Sequence, residues 1–201
     1  MLFGIGAILT LHAPAAAGQD SAATWGFVNA RYDTRSSASI YSGYGWRHAF
    51  AMGGVLHNPR SGYAELTGGM GVVFRTGADA EHWLALASAR ADALSYGQIY
   101  WLSTVRTGPV TTRANVKWTV AYERGAGQKL AIFPLSMTLP VGRHLAGGAA
   151  MDMSAATGAR TSIGTGLELR LRLPGAALVA NALRDTPENS SRLRLLFISM
   201  F

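Results

Sequence analysis

Ile163, Thr165, Leu167, Leu169, Leu171 and Leu173 alternate one for one with Ser162, Gly164, Gly166, Glu168, Arg170 and Arg172. Successive side chains of a strand point to opposite sides, so a period of two means a strand with two unlike faces. The pattern recurs along the chain. Thr112, Ala114, Val116, Trp118, Val120 and Tyr122 oppose Arg113, Asn115, Lys117, Thr119, Ala121 and Glu123. Ala64, Leu66, Gly68, Met70, Val72 and Phe74 oppose Glu65, Thr67, Gly69, Gly71, Val73 and Arg75. A fourth segment sets Trp83, Ala85, Ala87, Ala89 and Ala91 against Ser88, Arg90 and Asp92.

Such segments run from Thr24 to the end of the chain, each about ten residues long and separated by Gly, Pro, Asp, Asn and Ser. They are Thr24–Asp33, Ser37–Arg47, Ala49–His57, Gly62–Thr76, Trp83–Asp92, Tyr96–Arg106, Thr111–Arg124, Lys129–Leu139, Leu145–Ser154, Thr161–Leu173, Ala176–Arg184 and Ser191–Phe201. The first, eighth and eleventh show no clean alternation. Pro134 falls inside the eighth, where a paired strand disfavours proline, and predicts a bulge or kink. Regular strand-length segments with turn signals mean an all-β chain.

Two properties decide what the apolar faces meet. Only 14% of residues are charged, against roughly a quarter in soluble domains. Yet no segment after the first residues approaches the ~20 consecutive apolar residues of a spanning helix. In a soluble barrel the apolar face fills the interior, whereas in a membrane barrel it faces lipid and the lumen is polar. Charges recur in mid-strand at Arg90, Arg113, Lys117, Glu168 and Arg170. Twelve strands also enclose more volume than one apolar layer fills. Tyr44, Trp46, Trp83 and Tyr122 fall towards strand ends on the apolar faces, as interfacial girdles do. The expected fold is a single all-β, antiparallel, up-and-down transmembrane β-barrel of about twelve strands, with ten as the alternative. A soluble ligand-binding barrel is the competing architecture.

The chain ends on Arg192-Leu-Arg-Leu-Leu-Phe-Ile-Ser-Met-Phe201. Leu193, Leu195, Phe197 and Phe201 share one face, and the other face opens with Arg192 and Arg194. This ending resembles the last strand of bacterial outer-membrane β-barrels, which typically finishes on Phe after alternate apolar residues; Ser199 departs from that pattern. The resemblance implies an outer-membrane location in a Gram-negative cell. It also implies contact with outer-membrane lipid, and a terminal strand read by barrel-insertion machinery through Leu193, Leu195, Phe197 and Phe201. No particular family within the class follows from it. Met1 to Leu11 is a short apolar run leading into Ala-rich small residues. It reads as a signal peptide spanning residues 1–17, with the barrel occupying 18–201. With an even strand count both ends of the barrel chain lie on the periplasmic side.

The search for chemistry returns little. There is no cysteine. His48, His57, His82 and His144 are scattered without metal-ligand spacing, and no Gly-x-Ser-x-Gly elbow occurs. The Gly-rich stretches do not precede a helix and so are not phosphate loops. In strands they predict sharp curvature or close packing against a bulky neighbour. No catalytic residue, metal site or cofactor is assigned. The informative constellation is the polar face, where the sites named for lumen and selectivity are Arg75, Arg90, Arg106, Arg113, Lys117, Glu168, Arg170, Arg172 and Arg194. All basic residues but Lys117 and Lys129 are arginines, in a chain of net charge +7. They are spread along the segments without a basic run, which argues against nucleic acid as a partner. An Arg-rich lumen favours small anionic solutes. The function expected is therefore a small porin-like pore passing such solutes. The alternatives are a non-conducting structural or assembly-partner barrel, and a lipid-modifying enzyme. Oligomeric state is left open.

Overall fold

The computed structural model describes residues 24–34, 37–91, 94–123 and 127–201. The signal-peptide reading of residues 1–17 and the position of Asp92 lie outside them. The described chain forms twelve strands in one closed antiparallel barrel, each paired with its neighbours in sequence and β1 closing on β12. The strands are β1 (Thr24–Asp33), β2 (Ser37–Trp46), β3 (Ala49–Asn58), β4 (Tyr63–Thr76), β5 (Ala80–Ala91) and β6 (Leu94–Thr107). They continue with β7 (Val110–Ala121), β8 (Gln128–Pro140), β9 (Leu145–Ala156), β10 (Ser162–Leu173), β11 (Ala176–Thr186) and β12 (Ser190–Met200). Closure leaves no unpaired edge, so inter-strand hydrogen bonds satisfy the backbone where lipid offers no partner.

The end where β1 begins and β12 finishes is here the terminal end. Its turns are the tight ones. Gly108 and Gly175 there take φ of +56° and +65°, a conformation that a side chain penalises. The final residue seals the seam. The Gly26 amide donates to the Phe201 carbonyl at 2.6 Å and the Phe201 amide to the Gly26 carbonyl at 3.0 Å. The Phe201 ring lies against Gly26, filling the space a β-carbon would take.

The apolar faces point outward. Leu66, Met70, Leu86 and Leu167 are 65%, 72%, 61% and 69% exposed, whereas Glu65, Glu168 and Asn181 are 5%, 2% and 0% exposed. A water-soluble barrel has the reverse arrangement. Tyr44, Trp46, Trp101, Trp118 and Tyr122 also stand outside. His82, which falls between the fourth and fifth segments of the sequence reading, lies in β5 on the outer face, stacked between Phe74 and Trp101.

Strand β5 corrects the sequence reading of its faces. Trp83, Ala85, Ala87 and Ala89 pair with Leu102, Tyr100, Gln98 and Tyr96, which line the lumen. They point inward, and Leu84, Leu86, Ser88 and Arg90 point outward. Arg90 is therefore not a lumen residue, and Trp83 belongs to no lipid-facing girdle. Alanine is ambiguous in an alternation count, because a small apolar residue suits lipid and suits equally a wall covered by long side chains. The second situation holds here. Ala85 and Ala89 are buried beneath groups that reach across from neighbouring strands.

The bulge expected at Pro134 is present. β8 slips by one residue against both neighbours, between Ile132 and Leu135. Lys129 and Ala131 face inward before the slip, Ser136 and Thr138 after it. The extra residue brings both Phe133 and Pro134 to the cavity wall.

Candidate functional site: a charge-braced lumen

Three kinds of surface line the barrel interior. At the terminal end, on the β1–β6 side, Trp25, Phe27, Phe50 and Trp83 pack edge to face or tilted, with centroids 5.1 to 5.9 Å apart. The glycines opposite them make this packing fit. Phe27 pairs across the sheet with Gly43, Trp25 with Gly45, and Phe50 with Gly71. Each ring lies where its partner's β-carbon would be. The aromatic rings thus lie flat on the wall, and the close-packing role expected of strand glycines is met.

The second surface is a set of charged struts. The Lys117 ammonium on β7 meets the Glu65 carboxylate on β4 at 2.7 Å, spanning β5 and β6. Glu65 also accepts from Tyr63 at 2.8 Å, Thr67 at 3.1 Å and Gln98 at 3.1 Å. Tyr100 donates to Gln98 at 2.7 Å. The alanines of β5 leave the volume this network occupies. A second strut joins Arg194 on β12 to Asp152 on β9, over β10 and β11, by two parallel N–H donors. Such a bidentate pair fixes geometry as well as charge. Arg192 extends it, reaching Asp33 at 3.2 Å, Asp152 at 2.9 Å and Asp185 at 2.9 Å. Gly164 lies beneath, where a β-carbon would strike the Asp185 carboxylate and the Arg192 guanidinium.

The third surface is basic and lies towards the terminal end on the β6–β10 side. Arg113 approaches Glu168 at 3.9 Å and donates to Thr138 at 3.0 Å. Arg170 meets the same Glu168 at 3.3 Å, and Asn181 donates to its other oxygen at 3.0 Å. Arg106 and Arg172 stand near enough to Arg113 to repel it. Neither holds an ion pair among the described residues. Two guanidinium groups therefore share one carboxylate, with two more close to Arg113.

The residues singled out from the sequence fall in distinct places. Arg113, Glu168, Arg170, Arg172 and Arg106 come together in the basic cluster. Lys117 and Arg194 face the lumen but are each committed to a carboxylate. Arg75 lies at the terminal rim, 3.4 Å from Glu81. Arg90 is outside. Leu193, Leu195 and Phe197 face outward, and Phe201 closes the seam.

The alternation count passed over Asp33, Asp185, Asn181, Phe133 and the inward aromatics. Trp25, Phe27 and Asp33 lie on β1, Phe133 on β8, and Asn181 and Asp185 on β11, the strands whose pattern was ambiguous. Along β1 the inward residues run Trp25, Phe27, Asn29, Arg31 and Asp33, apolar at one end and charged at the other. A face that changes character along its length defeats a count of polar against apolar.

Between these surfaces lies a cavity of about 1150 Å³. Its walls extend from Ser61, Thr157 and Glu188 at one end to Leu102, Arg170 and Met200 towards the other. Among the described residues no group of His, Asp or Glu is placed to hold a metal ion.

No family model matches the chain, and no curated protein matches it in sequence. Solved structures do match in fold. A KdgM porin, in complex with disordered oligogalacturonate, aligns with TM-score 0.62 at 8% identity over 88% of this chain and 99% of that one. A second KdgM structure aligns with TM-score 0.59 at 7% identity, over 87% and 99% of the two chains. A NanC porin aligns with TM-score 0.58 at 9% identity, over 88% and 99%. At such identities the likeness is one of architecture. The chain is a closed twelve-stranded β-barrel built like these outer-membrane porins.

Proposed function

We propose that this barrel passes small anionic solutes across a bacterial outer membrane. One observation carries the reading. Arg113 and Arg170 share the single carboxylate of Glu168 beside the lumen, and Arg106 and Arg172 stand near Arg113 at the exposed terminal rim. Fixed positive charge beside a low-dielectric wall raises the local concentration of anions and lowers that of cations. The mechanism is electrostatic focusing without chemistry. The similarity in fold to a porin solved with oligogalacturonate, an acidic saccharide, is consistent with it. The chain ends lie on the periplasmic side in this reading, and the outward apolar belt meets outer-membrane lipid. Insertion proceeds through the terminal strand with Leu193, Leu195, Phe197 and Phe201.

The struts favour a second reading. Ion pairs spanning two intervening strands narrow the lumen, as in a braced barrel that does not conduct. Planar-bilayer recording separates the two. The proposed pore gives steady channels whose reversal potential in a salt gradient reports chloride preference. Replacing Arg113, Arg170 and Arg172 together by Gln lowers that preference by about threefold or more. A folded but silent barrel favours the braced reading. Unchanged selectivity in the triple variant removes these arginines as its source.

A further inference from the structure

Inside the lumen one guanidinium is placed unlike the rest. Arg31, on β1, reaches towards the far side of the barrel and lies 5.0 Å from the centroid of the Phe133 ring on β8. Phe133 stands there because the β8 bulge adds a residue to the wall at that level. Asp33 and Asp152 attract Arg31 from nearby, and Arg194 repels it. Both carboxylates are already engaged by Arg192 and Arg194. Arg31 holds no ion pair among the described residues, and its Nε has no hydrogen-bond partner. Lys129, inward-facing on the same strand as Phe133, also holds no ion pair. Both cations are near enough to Lys117 to repel it.

We infer that Arg31 is an anion-binding site within the lumen, taking a small oxyanion such as a carboxylate or phosphate. The Phe133 ring lies under the guanidinium in a cation–π contact. Arg31 lines the cavity, and the edge of a guanidinium is the part that grips an oxyanion in plane. Arg192 and Arg194 also carry an unpartnered Nε, but their Nη groups are engaged by aspartates and those of Arg31 are not. The site is thus set apart by its missing partner rather than by its residue type. This inference rests on the anion-favouring lumen proposed above, and the test distinguishes the failure of each.

The experiment titrates the refolded barrel in detergent micelles with inorganic phosphate, following the Nε–H resonances of the arginines by NMR. The Arg31 resonance is assigned by its loss in Arg31→Lys. The site predicts a saturable shift of that resonance, with those of Arg192 and Arg194 unmoved. In bilayers, Arg31→Gln then lowers chloride preference by about threefold, with a heat-modifiable gel shift confirming the closed barrel. An Arg31 resonance that does not move at saturating phosphate overturns the site, even if the channel is anion-selective through the Arg113 cluster. A saturable shift in a barrel that never conducts supports the site and overturns the pore.

Discussion

At the residue scale the lumen is organised by which charges have found partners. Glu65 accepts from four side chains, and Lys117 is its only cation among the described residues. Removing the carboxylate charge leaves the Lys117 ammonium buried against Tyr100 with no anion to balance it. Glu65→Gln should therefore lower stability by about 1.5–3 kcal/mol, the scale of a hydrogen bond to a charged group. It should also strengthen anion preference by freeing a lumen cation. The double variant Glu65→Gln, Lys117→Gln should recover part of the stability and lose the gain in selectivity. Urea unfolding followed by tryptophan fluorescence measures the first effect and reversal potential the second. Equal stability of the single and parent proteins would show that the strut contributes nothing to the fold.

At the scale of the element, the walls are shaped by pairing large residues with absent ones. Phe27 lies over Gly43 and Tyr41 over Gly54, each pair directly opposed across two strands. A side chain at Gly43 meets the Phe27 ring and the Ala51 carbonyl oxygen. Gly43→Val should cost about 1–3 kcal/mol, as overpacking does. Gly68, with nothing within 4 Å of its would-be β-carbon, provides the control. Gly68→Ala should change stability by no more than about 0.5 kcal/mol. Similar losses at both positions, in the same urea titration, would contradict the ring-over-glycine account. Strand β8 is shaped differently. Its bulge returns Ser136 and Thr138 to the lumen, where Thr138 accepts from Arg113. A two-residue period carried straight through Pro134 assigns them to the wrong face.

At the scale of the molecule, charge is unevenly placed. The Asp33–Asp152–Asp185 and Arg31–Arg192–Arg194 group nearly balances itself, whereas the Arg113 cluster does not. Selectivity arising from the cluster acts through water and is screened. The Debye length falls from about 10 Å at 0.1 M salt to about 3 Å at 1 M. Chloride preference should decline steeply over that range. A preference independent of salt would place its origin in a narrow steric filter instead.

The sequence pattern by itself pointed to an all-β barrel of about twelve strands, with ten as the alternative, and set the strand limits to within about three residues. That information is local, since each strand must present one face to lipid and one to the lumen. It also determined that Arg113, Glu168, Arg170 and Arg172 share the lumen face, because β7 and β10 are uniform along their length. Only the tertiary structure decided which way the alanines of β5 point, and with them Arg90 and Trp83. It alone decided which lumen charges are spent on one another. A salt bridge between β4 and β7, or between β9 and β12, depends on how far side chains reach across a closed cylinder. The period of a strand does not encode that distance. Arg31, Arg192 and Arg194 look alike in the sequence, and closure of the barrel gives two of them aspartates and leaves the third on the face of a phenyl ring.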